Sequence, residues 1–186
     1  MKKVTLTMVA LLSVMSMPSF AESSEGKITT NYEQVMMTKG ILIIKEAVDT
    51  SKFEGINGEI SVLTNVSTGY KTFALRLETN YYKSQYDNGT VTVIMDIDEL
   101  PSAINAVQYM IDATGEIEKK KDYTEVIYRS TGDASFGIFT GEKKTQAFFE
   151  VNYKSHKFFD VDKLPKLKEF FIVARDKAIS LGAEVE

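Results

Sequence analysis

The sequence of 186 residues contains no cysteine and only one histidine, His156. Without cysteine there are no disulfide bonds, no thiol nucleophile and no thiolate ligand for a metal. A single histidine argues against a histidine-based catalytic triad and against a multi-histidine metal site. His156 lies between Ser155 and Lys157, and we expect it in a solvated loop. We therefore expect no cofactor and no metal, and stability must come from burial of an apolar core.

An apolar stretch long enough to cross a membrane is missing even from the N-terminus, which instead resembles a signal peptide over residues 1–21. Lys2 and Lys3 precede an apolar run from Val4 to Met15, and Ser19-Phe20-Ala21 supplies small residues at the cleavage site. The run is shorter than the ~20 apolar residues that a span needs, and the lack of cysteine excludes a lipoprotein anchor. An uncleaved anchor is the alternative. We expect a periplasmic or secreted chain with no integral membrane span after cleavage.

Positive charge is also in deficit. The formal charge is −4, and removal of Lys2 and Lys3 with the leader makes it −6. An acidic surface repels phosphate backbones, so we expect no nucleic-acid partner. Residues 22–186 suffice for a single domain, in which residues 22 to about 31 are polar and predict a loose leader.

The first part of the remaining chain predicts strands. Ile41 to Ile44 is a continuous apolar run typical of a buried strand. Alternation of apolar and polar residues then predicts strands over 59–66, 73–77 and 91–97. Asn88-Gly89 favours a type I′ hairpin turn before the last of them.

A helix is predicted after each of two similar segments, Asp96 to Pro101 and Asp160 to Pro165. Asp98 is expected to cap the first helix, Leu100, Ile104, Val107 and Ile111 form its apolar stripe, and Gly115 is expected to end it. The second helix has a matching stripe and is expected to end at Gly182. Strands are predicted before it at 123–129, 135–140, 146–153 and around Phe158-Phe159.

These segments suggest an internal duplication. The Asp-x-Asp-x-Leu-Pro element recurs after 64 positions, and Ser67-Thr68-Gly69 recurs as Ser130-Thr131-Gly132 after 63. Coincidence is the alternative, because turns favour Ser, Thr and Gly and helix starts favour Asp. We predict an α+β fold of duplicated βββα units (about 56–115 and 120–182), forming an antiparallel sheet with two helices on one face and an extra N-terminal strand.

The predicted layout resembles that of the PUR-type repeats of nucleic-acid-binding proteins. No motif is shared, and both the leader and the acidic charge argue against the same function.

Carboxylates offer the only candidate chemistry. Asp96 with Asp98, and Asp160 with Asp162, have a spacing compatible with cation ligands or with a glycosidase pair. The rest of a calcium loop is missing, and we favour helix capping. Arg76 is expected to pair with Glu78 and to lie across from Asp96.

Aromatic residues in strands are more numerous than one core requires. Adjacent aromatics on a strand face opposite ways, so one of each pair should lie off the main core. Either they form a second small core or an exposed binding patch. The residues assigned to such a patch are Tyr81, Tyr82, Tyr86, Phe149 and Tyr153.

The sequence thus predicts an exported, non-enzymatic binding protein whose partner is a protein, peptide, lipid or glycan. A carboxylate-dependent hydrolase and a structural envelope protein are the alternatives. The sequence selects none of the possible ligands.

Overall fold

A computed structural model describes residues 29–141 and 144–185, so the predicted signal peptide lies outside the described residues. The helices are α1 (Asn31–Met37), α2 (Leu100–Glu118) and α3 (Leu164–Ser180), and the strands are β1 (Ile43–Phe53), β2 (Ile56–Asn65), β3 (Lys71–Ser84), β4 (Asp87–Asp96), β5 (Glu125–Arg129), β6 (Ala134–Thr140), β7 (Thr145–Val151) and β8 (His156–Asp160). Within these ranges, no helix is both long and apolar enough to cross a membrane.

The strands form two antiparallel sheets. Sheet 1 has the order β1-β2-β3-β4 and sheet 2 the order β5-β6-β7-β8. The predicted α+β class is confirmed. The structure differs from the expected single sheet because β4 and β5 do not pair, and each half contributes four strands before its helix.

Each long helix packs on the sheet of the other half. α2 contacts β5 and β6, whereas α3 contacts β1 and β2, and the two helices contact each other. The Phe171 ring of α3 also reaches sheet 2, with its centroid 5.2 Å from Phe136 and 6.0 Å from Phe149. The predicted helix stripes therefore enter one core that spans both halves. Because each sheet is covered by the helix of the other half, neither half can bury its apolar face alone.

The turn between β5 and β6 joins sheet 2 to sheet 1. The Glu99 carboxylate accepts a hydrogen bond from the backbone N–H of Thr131, at 3.0 Å. Next to it, a Cβ atom at Gly132 would overlap the carbonyl oxygen of Ile94. Glycine is therefore required here for close approach of two backbones.

The helix starts differ from the predicted caps. A short 3-10 turn (Ile97–Glu99) precedes α2, and no side chain caps either the turn or the helix, so the assignment of Asp98 was wrong. The Asp96 carboxylate instead accepts the backbone N–H groups of Asn31 (2.6 Å) and Tyr32 (3.2 Å), at the start of α1. The predicted loose leader thus ends in a helix held by a residue 65 positions away.

Two glycine assignments also need correction, and one is confirmed. α2 continues past Gly115 to Glu118, because one glycine costs a helix only about 1 kcal/mol. Asn88 and Gly89 lie within the β3–β4 ladder, opposite Tyr82 and Tyr81, and the Ser84 hydroxyl orders the turn before them. Gly182, with φ of +98°, follows α3 as predicted.

The two sequence matches that suggested a duplication differ in whether they occupy equivalent positions in the two halves. The Asp-x-Asp-x-Leu-Pro elements occupy equivalent places, at the transition from β4 to α2 and from β8 to α3. Ser67-Thr68-Gly69 joins the second and third strands of sheet 1, whereas Ser130-Thr131-Gly132 joins the first and second strands of sheet 2. The second match therefore does not support duplication, which stays a prediction.

Candidate functional site

The outer face of sheet 2, opposite the helices, carries three cross-strand rows of side chains. Strand register defines them as Glu125–Phe139–Gln146–Asp160, Ile127–Gly137–Phe148–Phe158 and Arg129–Ser135–Glu150–His156. The middle row is apolar and the two flanking rows are mostly polar.

Aromatic and aliphatic side chains gather at the centre of this surface. The Phe139 ring lies 6.3 Å from Tyr123, 6.2 Å from Phe148 and 6.0 Å from Phe158, measured between ring centroids. Tyr123 is 69% exposed, Phe158 63% and Ile127 39%. We call these five residues (Tyr123, Ile127, Phe139, Phe148 and Phe158) the aromatic face. They line a shallow concavity of about 410 Å³.

Gly137 shapes the floor of the concavity. A Cβ atom at this position would overlap the Val126 carbonyl oxygen and lie 2.8 Å from the Phe148 ring. The Phe148 ring therefore lies flat across β6 and is itself buried although it points outward. Phe158 of β8 borders the resulting depression on one side, and Ile127 of β5 borders it on the other.

The rim is charged with both signs. The Glu150 carboxylate accepts a hydrogen bond from the Ser135 hydroxyl at 3.2 Å and lies 3.7 Å from Nδ1 of His156. At the opposite end Asp160 pairs with Lys144, and this hydrogen bond lowers the pKa of the Asp160 carboxyl. Across residues 29–141 and 144–185, no carboxylate lies within ion-pair distance of Arg129.

The five aromatic residues assigned from sequence do not line this surface. Phe149 is fully buried in the core, so its assignment to an exposed patch was wrong. Tyr82 and Tyr86 are exposed at the tip of the β3–β4 hairpin. Tyr81 and Tyr153 share one neighbour, because Nζ of Lys154 lies 5.3 Å from the centroid of the Tyr81 ring and 5.9 Å from that of the Tyr153 ring.

Strand alternation nevertheless predicted correctly that adjacent aromatic residues lie on opposite faces of the sheet. The expectation that one member of each adjacent aromatic pair leaves the core is confirmed, since Phe148 and Phe158 face outward while Phe149 and Phe159 are in the core. His156 is exposed, as expected, but it is the first residue of β8 rather than part of a loop.

The outer face of sheet 1 is arranged differently. α1 lies over part of it, where Tyr32 packs with Leu63 and Ala74 and its hydroxyl bonds to that of Ser61 at 2.9 Å. The rest of this face carries Arg76, which pairs with Glu78 as predicted and with Glu59 at 3.5 Å.

The strand register corrects one detail of the Arg76 prediction. Arg76 lies opposite Ile94, and Asp96 lies opposite Ala74, so the predicted alignment of Arg76 with Asp96 was wrong.

The two aspartate pairs have separate structural partners. Asp96 binds the start of α1, and burial there raises the pKa of its carboxyl despite two N–H bonds. Asp96 and Asp98 line a concavity of about 850 Å³ beside α1 that includes neither Asp160 nor Asp162. Among the described residues there is no cluster of three or more side chains suited to holding a metal. The two pairs do not converge on one cleft, so the aromatic face is taken as the candidate site.

Comparisons with protein-family models, curated proteins and solved structures found no match to this chain.

Proposed function

We propose that the chain is an exported, non-enzymatic binding protein, acting in the periplasm or outside the cell. Its partner is a protein that presents apolar side chains to the aromatic face. The observation that carries the proposal is that Tyr123, Ile127 and Phe158 lie close to Phe139 and are exposed on the outer face of sheet 2. Contiguous exposed apolar surface of this kind marks interaction sites.

The energetics favour a covered state. Phe158 is 63% exposed, and burying the rest of its ring would contribute about 1–2 kcal/mol. Aromatic residues and arginine contribute most to the affinity of protein interfaces. Arg129 is the last residue of β5, and Tyr123 lies two residues before its start. These residues form the anchor set that a protein partner would contact.

The rim favours a protein over a lipid surface. Anionic membranes attract surfaces on which lysine and arginine cluster. Here Glu125, Glu150 and Asp160 surround the apolar centre together with Arg129 and His156. Mixed charges around an apolar centre are the usual composition of a protein–protein interface.

Site-specific photo-cross-linking in the producing cell tests the proposal. A benzophenone amino acid replaces Ile127 on the aromatic face, and the matched control carries it at Ile179 on α3, which is 47% exposed. We expect a discrete protein adduct at position 127 and none at 179. The absence of an adduct at 127, or equal adducts at both positions, would overturn the proposal.

A further inference from the structure

We infer that the partner on the aromatic face is a second copy of this chain, packed face to face across a two-fold axis perpendicular to the strands of sheet 2. This inference rests on the proposed function, because it names the partner of the same surface. It is carried by the order of charges across the three rows.

Face-to-face packing of two identical sheets allows two simple axes, both lying in the plane between them. An axis along the strands places each row over the same row of the partner and exchanges β5 with β8. An axis perpendicular to the strands reverses each strand, so the first row lies over the third and β5 lies over β5 of the partner.

The perpendicular axis brings opposite or compatible groups together. Glu125 lies over the partner subunit's Arg129, and Asp160 lies over the partner subunit's His156. Gln146, whose amide can donate, lies over the partner subunit's Glu150. By symmetry each contact occurs twice, so three of the four positions in these rows are complementary, and the fourth places Phe139 over the partner subunit's Ser135.

The axis along the strands brings like charges together. It places the carboxylate of Glu125 over that of the partner subunit's Asp160, and it leaves Arg129 over the partner subunit's His156 with no carboxylate opposite it. Like charges at an interface oppose association, so the charge order selects the perpendicular axis.

The central row is compatible with this axis. Ile127, Phe148 and Phe158 each lie over their own counterparts, and Gly137 between them leaves room for rings from the other copy. Four strands of five residues cover roughly 19 by 17 Å. Stable interfaces bury ~800 Å² on each partner, so this smaller footprint predicts a weak dimer with a dissociation constant in the micromolar range or above.

Pairing through the free edge of β5 is the main competing arrangement. Antiparallel pairing of two β5 strands centred on Ile127 would also place Glu125 beside the partner subunit's Arg129. It would leave Phe158, on the opposite edge strand, exposed. Phe158 therefore distinguishes the two arrangements.

Sedimentation velocity of the purified chain, over concentrations on the order of 10 to 500 µM, measures the association. We expect the wild type to dimerise and Glu125→Arg and Arg129→Glu each to weaken the dimer by about tenfold or more. The double exchange E125R/R129E restores the opposite charges and should return the dissociation constant to within about threefold of wild type. Glu46→Arg, at an exposed position of β1 on sheet 1, is the matched control and should change nothing.

Phe158→Glu should abolish the dimer, with far-ultraviolet circular dichroism unchanged. Dimerisation that survives Phe158→Glu would overturn the face-to-face arrangement in favour of edge pairing, and failure of the double exchange would overturn the charge pairing. A wild type that stays monomeric at all concentrations would overturn self-association. If position 127 still forms adducts with another protein in the cell, the proposed function stands without self-association.

Discussion

The two sheets share one strand order but differ on their outer faces. On sheet 1, α1 seats Tyr32 over Leu63 and Ala74, and ion pairs around Arg76 occupy the remainder. On sheet 2, Tyr123 and Phe158 stand uncovered beside Phe139. Topology therefore does not assign the function of either sheet. The side chains at outward-facing positions differ instead, because those of sheet 1 are covered or ion-paired within the chain whereas Tyr123 and Phe158 of sheet 2 are exposed.

The largest effect is expected at the joint that holds the two sheets together. Gly132→Ala would place a Cβ atom against the Ile94 backbone, and relief requires sheet 2 to move away from sheet 1. We expect a loss of about 3 kcal/mol or more in the free energy of unfolding, measured by urea denaturation. Gly115→Ala in α2, where nothing lies within 4 Å, is the control and should stabilise by up to about 1 kcal/mol.

Phe158 and Phe159 are adjacent in sequence but lie on opposite faces of sheet 2, Phe158 on the outer face and Phe159 on the inner face. Phe159 is buried against Phe53, with ring centroids 5.0 Å apart, so Phe159→Ala should cost about 3 kcal/mol. Phe158→Ala should change the free energy of unfolding by less than about 0.5 kcal/mol and should reduce cross-linking from position 127. Equal losses of stability in both variants would show that the Phe158 side chain is structural.

Tyr32→Ala should expose apolar side chains on the outer face of sheet 1, as they are exposed on sheet 2. Tyr32 is buried under α1 and bonds to Ser61, so its removal should cost about 2 to 3 kcal/mol and expose Leu63. Binding of the dye anilinonaphthalene sulfonate, which reports exposed apolar surface, should rise. Tyr32→Phe retains the ring and should lose only about 1 kcal/mol, without added dye binding.

The smallest expected effect is the pH dependence of the free energy of unfolding that comes from Asp96, which binds the start of α1. Burial raises the pKa of Asp96 above 3.8, so the protonated form is favoured in the folded state. Its contribution to stability is fully present below pH 3.8 and is lost as the pH rises through the raised value. The free energy of unfolding of the wild type, relative to Asp96→Asn, should therefore decline over that window.

Two comparisons sharpen the Asp96 prediction. Asp96→Ala removes the acceptor of two N–H bonds and should cost about 1 kcal/mol at neutral pH. Asp49→Asn, at an exposed position of β1 whose charge does not contribute to the pKa of Asp96, is the control. A wild-type curve parallel to that of Asp96→Asn at all pH values would contradict the role assigned to burial.

Local patterns predicted most of the strands and both long helices, but nonlocal pairing decided the rest. Apolar stripes such as Leu100, Ile104 and Val107 are fixed by helical spacing and were correct. The break between the two sheets depends on which strands pair, and no short segment encodes that. α1 was not predicted, because a helix of 7 residues has no long apolar stripe. The capping box of Thr30 and Glu33 is the local pattern that could have indicated it.

The candidate site was missed for a related reason. Alternation shows that Phe148 and Phe149 face opposite ways, but a shift of one residue in register exchanges the two faces. Only the ladder that pairs Phe148 with Gly137 and Phe158 settles which one points outward. Tyr123 is predicted as the first residue of a strand, but β5 begins only at Glu125, so alternation along the strand does not place its ring.

Hydroxyl-radical footprinting, read by mass spectrometry, tests the central claim most directly, because it compares exposed rings in the diluted purified chain with those in the producing cell. We predict that Tyr123 and Phe158 become protected in the cell, while Tyr82 and Tyr109, which are exposed elsewhere, react equally in both samples. Unchanged reactivity of Tyr123 and Phe158, or protection of Tyr82 in their place, would contradict the assignment of sheet 2 as the binding surface.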